Sequence, residues 1–338
     1  MLSAEAASQL QGRKNLLAFS AGGDSTALFF LLLDAGIDFD IALVNYHTRP
    51  QSDDEAAYAR VLGEQYGKLS HIADIEIDAS NFEHEARKAR YNYFEALIEE
   101  YGYDNLITAH QLDDRLEWMM MQLCKGAGVV EMSGMKAIED AAGYTLVRPL
   151  LQTTKQELLD YLKQHRHTWF EDESNRDENF KRNFFRHNVT GPLLERYSEG
   201  IKKSFTYIDE DRKRFETAVE VQRIDELLYF ATPASRSDAV RIIDKSLKQS
   251  GFMMRQGDRE RLKDEESVVV GRRYVVAIGE AYTFIAPYEE QVLDKAFKEQ
   301  CRKLQIDPKL RPYLARSEAA FKKAALLLGG DAVDLHGE

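Results

Sequence analysis

The segment Ser20-Ala21-Gly22-Gly23-Asp24-Ser25-Thr26 lies between two apolar runs, Leu16 to Phe19 and Ala27 to Phe30. An apolar run, a small-residue turn and a second apolar run read as strand, tight loop and helix. Such a loop turns backbone N–H groups and the Ser20 and Ser25 hydroxyls toward a helix N-terminus, where partial positive charge collects an anion. No Gly-Lys-Ser/Thr follows the glycines and the Gly-x-Gly-x-x-Gly spacing is missing, which excludes a P-loop and a dinucleotide fingerprint. Asp24 is awkward in an anion cup. A carboxylate beside a phosphate is repelled unless a cation lies between them, so Asp24 implies Mg²⁺. In a turn that only packs helix on sheet, the same residue would merely favour the helix dipole.

Further groups of the same kind follow. His47 and Arg49 come after a second apolar run, and Arg49 suits either a phosphate or an exposed loop. Glu85-Ala86-Arg87-x-x-Arg90-Tyr91 sets two arginines on neighbouring positions of one helix face. In Thr108-Ala109-His110-Gln111-Leu112-Asp113-Asp114-x-x-Glu117 a strand ends and a helix opens on acids, with Asp113 and Glu117 four apart on one face. Trp118 and Met119 to Met121 read as core, and Gly126, Gly128 and Gly134-Met135 as a loop that lets backbone approach a ligand. Arg148-Pro149-Leu150-Leu151 closes another strand. In Lys181-Arg182-Asn183-Phe184-Phe185-Arg186 bases and aromatics interleave, as suits stacking a base and binding phosphate. Arg212-Lys213-Arg214 and Arg272-Arg273 read as surface features.

The elements that must position these residues alternate. Strands at 41–47, 71–77, 105–109 and 144–149 are separated by helices at 24–35, 52–66 (Ser52 as N-cap), 82–101, 112–125 and 155–165. The alternation predicts an α/β fold with a doubly wound, mostly parallel sheet, whose ligand sits at the C-terminal strand ends, where Ser20, His47 and His110 fall. From about 168 the texture becomes a polar loop and long amphipathic helices. A small α+β part follows, with a hairpin at 267–286 turning at Gly279-Glu280. We expect a catalytic domain over 1–190 and a mainly helical region over 191–338. At 338 residues, 44% hydrophobic and 30% charged, the chain has the composition of a globular protein with room for two domains. It shows no membrane span and no signal peptide, so a cytoplasmic protein is expected. Cys124 and Cys301 alone make neither a disulfide framework nor a zinc site. The net charge of −12 lacks the usual basic footprint of a nucleic-acid protein, so any RNA contact must use local basic patches.

The Ser20-to-Ser25 arrangement resembles the pyrophosphate loop of the N-type ATP pyrophosphatases, usually written Ser-Gly-Gly-x-Asp-Ser, with Ala21 at the first Gly. If that position needs a positive φ, the extra methyl costs roughly 1 kcal/mol. Taken in order, the motifs above, with Asn175, are similar to those of the tRNA(Ile)-lysidine synthetase family over residues 16–186. The chain departs from that pattern at Ala21, Gln111, Arg115 and Trp118, the last where a Thr commonly follows the Glu.

The resemblance implies an adenine nucleotide alpha hydrolase-like (PP-loop) fold and a ligase that forms a carbon–nitrogen bond. ATP would adenylate the C2 oxygen of the wobble cytidine in the CAU anticodon of tRNA(Ile). The ε-amine of free L-lysine would then displace AMP. It implies ATP binding by Ser20, Ala21, Gly22, Gly23, Asp24, Ser25, His47 and His110, with Mg²⁺ on Asp24. Asp24, Arg90, Asp113 and Arg182 would be catalytic, and Asp113, Asp114 and Glu117 would hold lysine with Asp113 as base. Arg87, Arg148, Arg182 and Arg186 would meet tRNA, as would the region after 190. A homodimer is left open. The alternatives are a tRNA thiolase, which usually needs paired cysteines, an amidating ligase, which needs an ammonia source, and a non-catalytic tRNA-binding module with a decayed loop.

Overall fold

The computed structural model describes residues 1–48, 51–77, 82–141, 143–171, 181–216 and 219–329. Arg49 and Asn175 lie outside the described residues. The chain forms two units, Met1–Arg212 and Lys213–Glu338. The expected boundary at 190 falls at the start of helix α9 (Gly191–Glu216), most of which belongs to the first unit, and the division between the units comes later, after Arg212.

In the first unit, elements run α1 (Ala4–Leu10), β1 (Asn15–Ala18), α2 (Gly23–Asp34), β2 (Asp40–Asn45), α3 (Gln51–Tyr66), β3 (Ser70–Asp74), α4 (Phe82–Tyr101) and β4 (Asn105–Ile107). They continue with α5 (Leu112–Leu123), α6 (Val129–Ser133), β5 (Ile138–Ala141), β6 (Tyr144–Val147), α7 (Lys155–His165), α8 (Lys181–Phe185) and α9. The sheet order is β3-β2-β1-β4-β6-β5, parallel except for the β5–β6 pair. Both faces are covered, and strand residues alternate between them. Leu17, Ile41, Ile107 and Val147 pack with α2 and α7. Leu16, Ala42, Leu106 and Leu146 pack with Phe94, Leu97 and Ile98 of α4. Chain direction through the sheet reverses between β1 and β4, so the crevice beyond their C-terminal ends is where such sheets take ligands.

The sequence reading missed β5, whose alternation is too short and polar to stand out in Ile138-Glu139-Asp140-Ala141. Ser52 lies inside α3 and is buried, not its N-cap, because the helix already includes Gln51. The glycine loop after α5 contains the short helix α6.

The second unit is built on a five-stranded antiparallel sheet, β7 (Gln222–Ile224), β8 (Leu227–Ala231), β9 (Ser267–Val270), β10 (Tyr274–Ile278) and β11 (Tyr282–Pro287), in the order β7-β8-β11-β10-β9. The expected hairpin is β10–β11, with Val276 opposite Ile285. β7 and β8 were read as part of a helical region; the apolar stretch Leu227-Leu228-Tyr229-Phe230 fits either period and only its partner β11 fixes it as a strand. One face buries Val276, Ile278 and Ile285 under α10 (Arg236–Gln249) and α11 (Gln256–Asp264). The other buries Val275, Ala277 and Phe284 under α12 (Lys295–Lys303), α13 (Arg311–Arg316) and α14 (Glu318–Leu327).

Ala21 adopts a φ of 58° and is fully buried. The left-handed backbone costs an alanine about 1 kcal/mol, while its buried methyl returns about 0.8 kcal/mol. Ala21→Gly is therefore expected to shift stability by less than about 1 kcal/mol, read from urea unfolding.

Candidate active site

Ser25 closes the loop after β1. Its Oγ accepts from the Ser20 backbone N–H at 3.2 Å and donates to the Gly22 carbonyl at 3.1 Å, and it lies 3.1 Å from Ser20 Oγ. Gly22 is the N-cap of α2 and brings no side chain to it, so the first-turn amides are left for a ligand. Gly23 is closely packed: a Cβ there would meet the Leu159 side chain of α7 at 3.0 Å and Trp169 at 3.5 Å, so Leu159 would have to give by a few tenths of an ångström.

Asp24 follows in the first turn, and its Oδ1 is buried without a hydrogen-bond partner among the described residues. Burial pushes its pKa up to about 6; Asp114 and Asp113 add to the rise, and Lys155 and Arg186 oppose it. An orphaned buried carboxylate oxygen offers a divalent cation one ligand, though among the described residues no cluster of three acids, histidines or cysteines completes a metal site.

Helix α5 starts at a capping box. Gln111 accepts from the Asp113 amide, and Asp114 Oδ2 accepts from the Gln111 amide at 3.2 Å. Asp114 and Glu117 then meet Arg182 and Arg186. Arg182 donates to Asp114 Oδ1 at 2.6 Å and to Glu117 Oε2 at 2.7 Å, and Arg186 donates to Glu117 Oε1 at 2.7 Å. The Glu117 side chain is only 1% exposed, so this pairing is what permits its burial as a charge. Arg182 and Arg186 sit four apart across α8 and the π-helical turn after it, on one face. Asp113 is spent partly elsewhere: its Oδ2 accepts from the Lys155 backbone N–H at 3.0 Å, tying α5 to the start of α7. Its pKa is raised, chiefly by burial.

His110 lies three residues beyond the end of β4, with Nδ1 2.9 Å from Thr108 Oγ1. Burial pushes its pKa down to about 3, and Arg148, Arg182, Arg87 and Arg90 all act in the same direction. The imidazole is therefore neutral at physiological pH, at the meeting point of four arginines. Arg87 lies over the Tyr91 ring, 4.8 Å from its centroid, and neither Arg87 nor Arg90 is paired with a carboxylate among the described residues. Arg148, expected at the RNA, is instead buried, donating to Glu139 Oε2 and to the Lys136 carbonyl at 2.8 Å each. It braces the β5–β6 edge that the sequence reading missed. His47, at a φ of 53°, has its two ring nitrogens 3.0 Å from Asp53 and from Asp74, so its ring is held by carboxylates rather than offered to the phosphate loop. Trp118, read as core, is 41% exposed.

Two features escaped the sequence. Lys155 opens α7, lies within electrostatic reach of Asp24, and its ammonium is in no ion pair with a described residue. Its place six residues after Pro149, at a helix start marked by Thr154 and Glu157, is a signal that can be read. Arg115 is fully buried, donating to Asp209 at 2.6 Å and lying 4.2 Å from the Phe205 ring centroid; no local signal foretells that partner in α9.

The model of the PP-loop domain matches residues 3–193. The chain is 44% identical over 306 residues to a tRNA(Ile)-lysidine synthase of Wolinella succinogenes, covering 90% of this chain and 94% of that one. It belongs to the tRNA(Ile)-lysidine synthase family. Relatives of the same name from Campylobacter jejuni and Helicobacter pylori are 40% and 39% identical, again over 90% or more of this chain and of theirs. Among solved structures, a U34-tRNA thiolase from Methanococcus maripaludis shares the fold at a TM-score of 0.51, with 18% identity over 64% of this chain and 78% of its own.

For this family member the site sets a pH dependence of stability. A raised carboxyl pKa adds stability that is complete below the unfolded value of 3.8 and is lost as pH rises through about 6. Metal-free Asp24→Asn is therefore expected to be more stable than the parent at pH 7.5, by about 1–3 kcal/mol, and to match it near pH 4. Urea unfolding at the two pH values checks this. Glu117→Ala leaves two guanidiniums without their buried acceptor and should cost about 3 kcal/mol by the same measurement.

Proposed function

We propose that the protein uses ATP to join the ε-amine of free L-lysine to C2 of the wobble cytidine in the CAU anticodon of tRNA(Ile). The cytidine C2 oxygen attacks the α-phosphorus of ATP and pyrophosphate leaves. The amine then attacks C2, the C2–O bond breaks and AMP departs. What supports the reading is one convergence: the phosphate cup, a neutral His110 ringed by arginines, and the acidic face of α5 all meet beyond β1 and β4.

The loop amides from Gly22 to Ser25 take the β- and γ-phosphates, with Lys155 beside them. Asp24 would hold Mg²⁺, which when bound offsets the charge of the departing pyrophosphate. Arg87 and Arg90, paired with no carboxylate among the described residues, take the transferring phosphate and the RNA backbone. The neutral His110 offers a hydrogen bond without adding charge to an already basic corner.

Asp114 and Glu117 receive the lysine substrate, whose ammonium takes over acceptor positions that the arginines occupy here. Asp113 accepts the proton that the amine must lose; burial makes its carboxylate the better base. The second unit would add grip on the tRNA, with Arg272 and Arg273 exposed between β9 and β10. A thiolase reading lacks support, since Cys124 and Cys301 sit in different units.

The deciding measurement is pyrophosphate release from ATP with Mg²⁺, lysine and a CAU-bearing tRNA(Ile). Sustained release over many turnovers that requires both lysine and this tRNA is expected, since one equivalent of pyrophosphate leaves before the amine attacks; multiple turnover indifferent to lysine would sink the reading. Asp113→Asn still accepts from the Lys155 amide, so it should fold normally while turnover falls about 100-fold or more. Unchanged turnover would remove Asp113 as the base.

A further inference from the structure

Trp118 stands where α5 emerges from the core: Leu112, Arg115, Leu116 and Glu117 before it are buried, Trp118 itself is 41% exposed, and Met119 to Leu123 after it are half-buried or exposed. It is nonetheless fixed. Its Nε1–H donates to the Glu131 carbonyl of α6 at 2.9 Å, and its ring lies flush on Gly134, where a Cβ would fall 2.4 Å from the indole Cδ1. Gly134 has a φ of 60°, so both its conformation and its missing side chain serve this contact.

The position is specific too. Trp118 follows Glu117 directly and stands four residues after Asp114, on a neighbouring position of the same helix face. Asp114 and Glu117 hold Arg182, whose guanidinium side chain is 49% exposed. An exposed aromatic ring, held by a hydrogen bond and a glycine contact one helical turn from an exposed arginine, is the pairing that grips an unpaired nucleotide, ring on base and cation on phosphate. A rigid ring loses little freedom when a base covers it.

We propose that Trp118 is a stacking platform for an unpaired base of the RNA substrate, a base next to the one that is modified. This rests on the ligase reading for the identity of the RNA.

The test uses the full chain, Trp118→Ala and Trp118→Phe, with an RNA stem-loop carrying the CAU anticodon. Trp118→Ala should weaken stem-loop binding by about 5- to 100-fold. The KM values for ATP and lysine should not move, and Trp118→Phe, which keeps a flat ring, should bind within about threefold of wild type. The chain has two tryptophans, so the stem-loop should quench wild-type fluorescence and Trp118→Phe should lose that quench. Equal stem-loop affinity of wild type and Trp118→Ala would overturn the proposal, as would a matching rise in the ATP and lysine KM values, which marks a structural role. Should Trp118→Ala not fold, the quench decides alone: equal quenching in wild type and Trp118→Phe overturns the platform. A wild type that binds and is quenched but releases no pyrophosphate with lysine would sink the ligase reading and support the stack.

Discussion

Two carboxylates on one face of α5, Asp114 and Glu117, are kept charged and largely out of water by two guanidiniums from a segment more than sixty residues later. The rest of the site depends on that balance. Without the arginines, Glu117 would be a buried carboxylate with no ion-pair partner among the described residues, at a cost to the packing of α5 of about 3–5 kcal/mol. With them, α5 can present a third acid, Asp113, to the first turn of α7, and α7 can close over Gly23.

The phosphate loop works by the opposite device, leaving groups unsatisfied. Gly22 gives α2 no side-chain cap, and Asp24 keeps a buried oxygen without a donor. Such costs persist only where surrounding structure over-determines the conformation. Here the hydroxyls of Ser20 and Ser25 lock the turn, and Ala21 is pinned in the left-handed region with its carbonyl accepting from the Phe170 amide at 3.0 Å. The alanine keeps the turn that the family's glycine would make, at the cost of backbone strain.

Much of this was legible in the chain. The helices 82–101 and 155–165 were read with their observed bounds, because long periodic segments with acids at their starts carry their own signal. The loop, the His110 motif and the arginine segment were found because glycines, helix-start acids and paired bases are local patterns. The failures share a cause. β5, β7 and β8 are strands of three to five residues that pairing, not composition, defines. Arg148 and His47 took their expected roles from the resemblance and Trp118 from its residue type; carboxylates of neighbouring elements hold the first two, and the third lies on an open face.

By itself, then, the sequence determined the alternating helices and parallel strands of the first unit, the anion cup and the family, since spacing and periodicity are properties of the chain read along its length. Tertiary structure decided which charges meet. It spent Arg148 on Glu139 and His47 on Asp53 and Asp74, gave Glu117 to Arg182 and Arg186, and left Arg87, Arg90 and Lys155 without carboxylates among the described residues. The physical reason is that a charge's role is set by what lies within a few ångströms of it, and those neighbours come from β-strand crossovers and helix packing that no local pattern encodes.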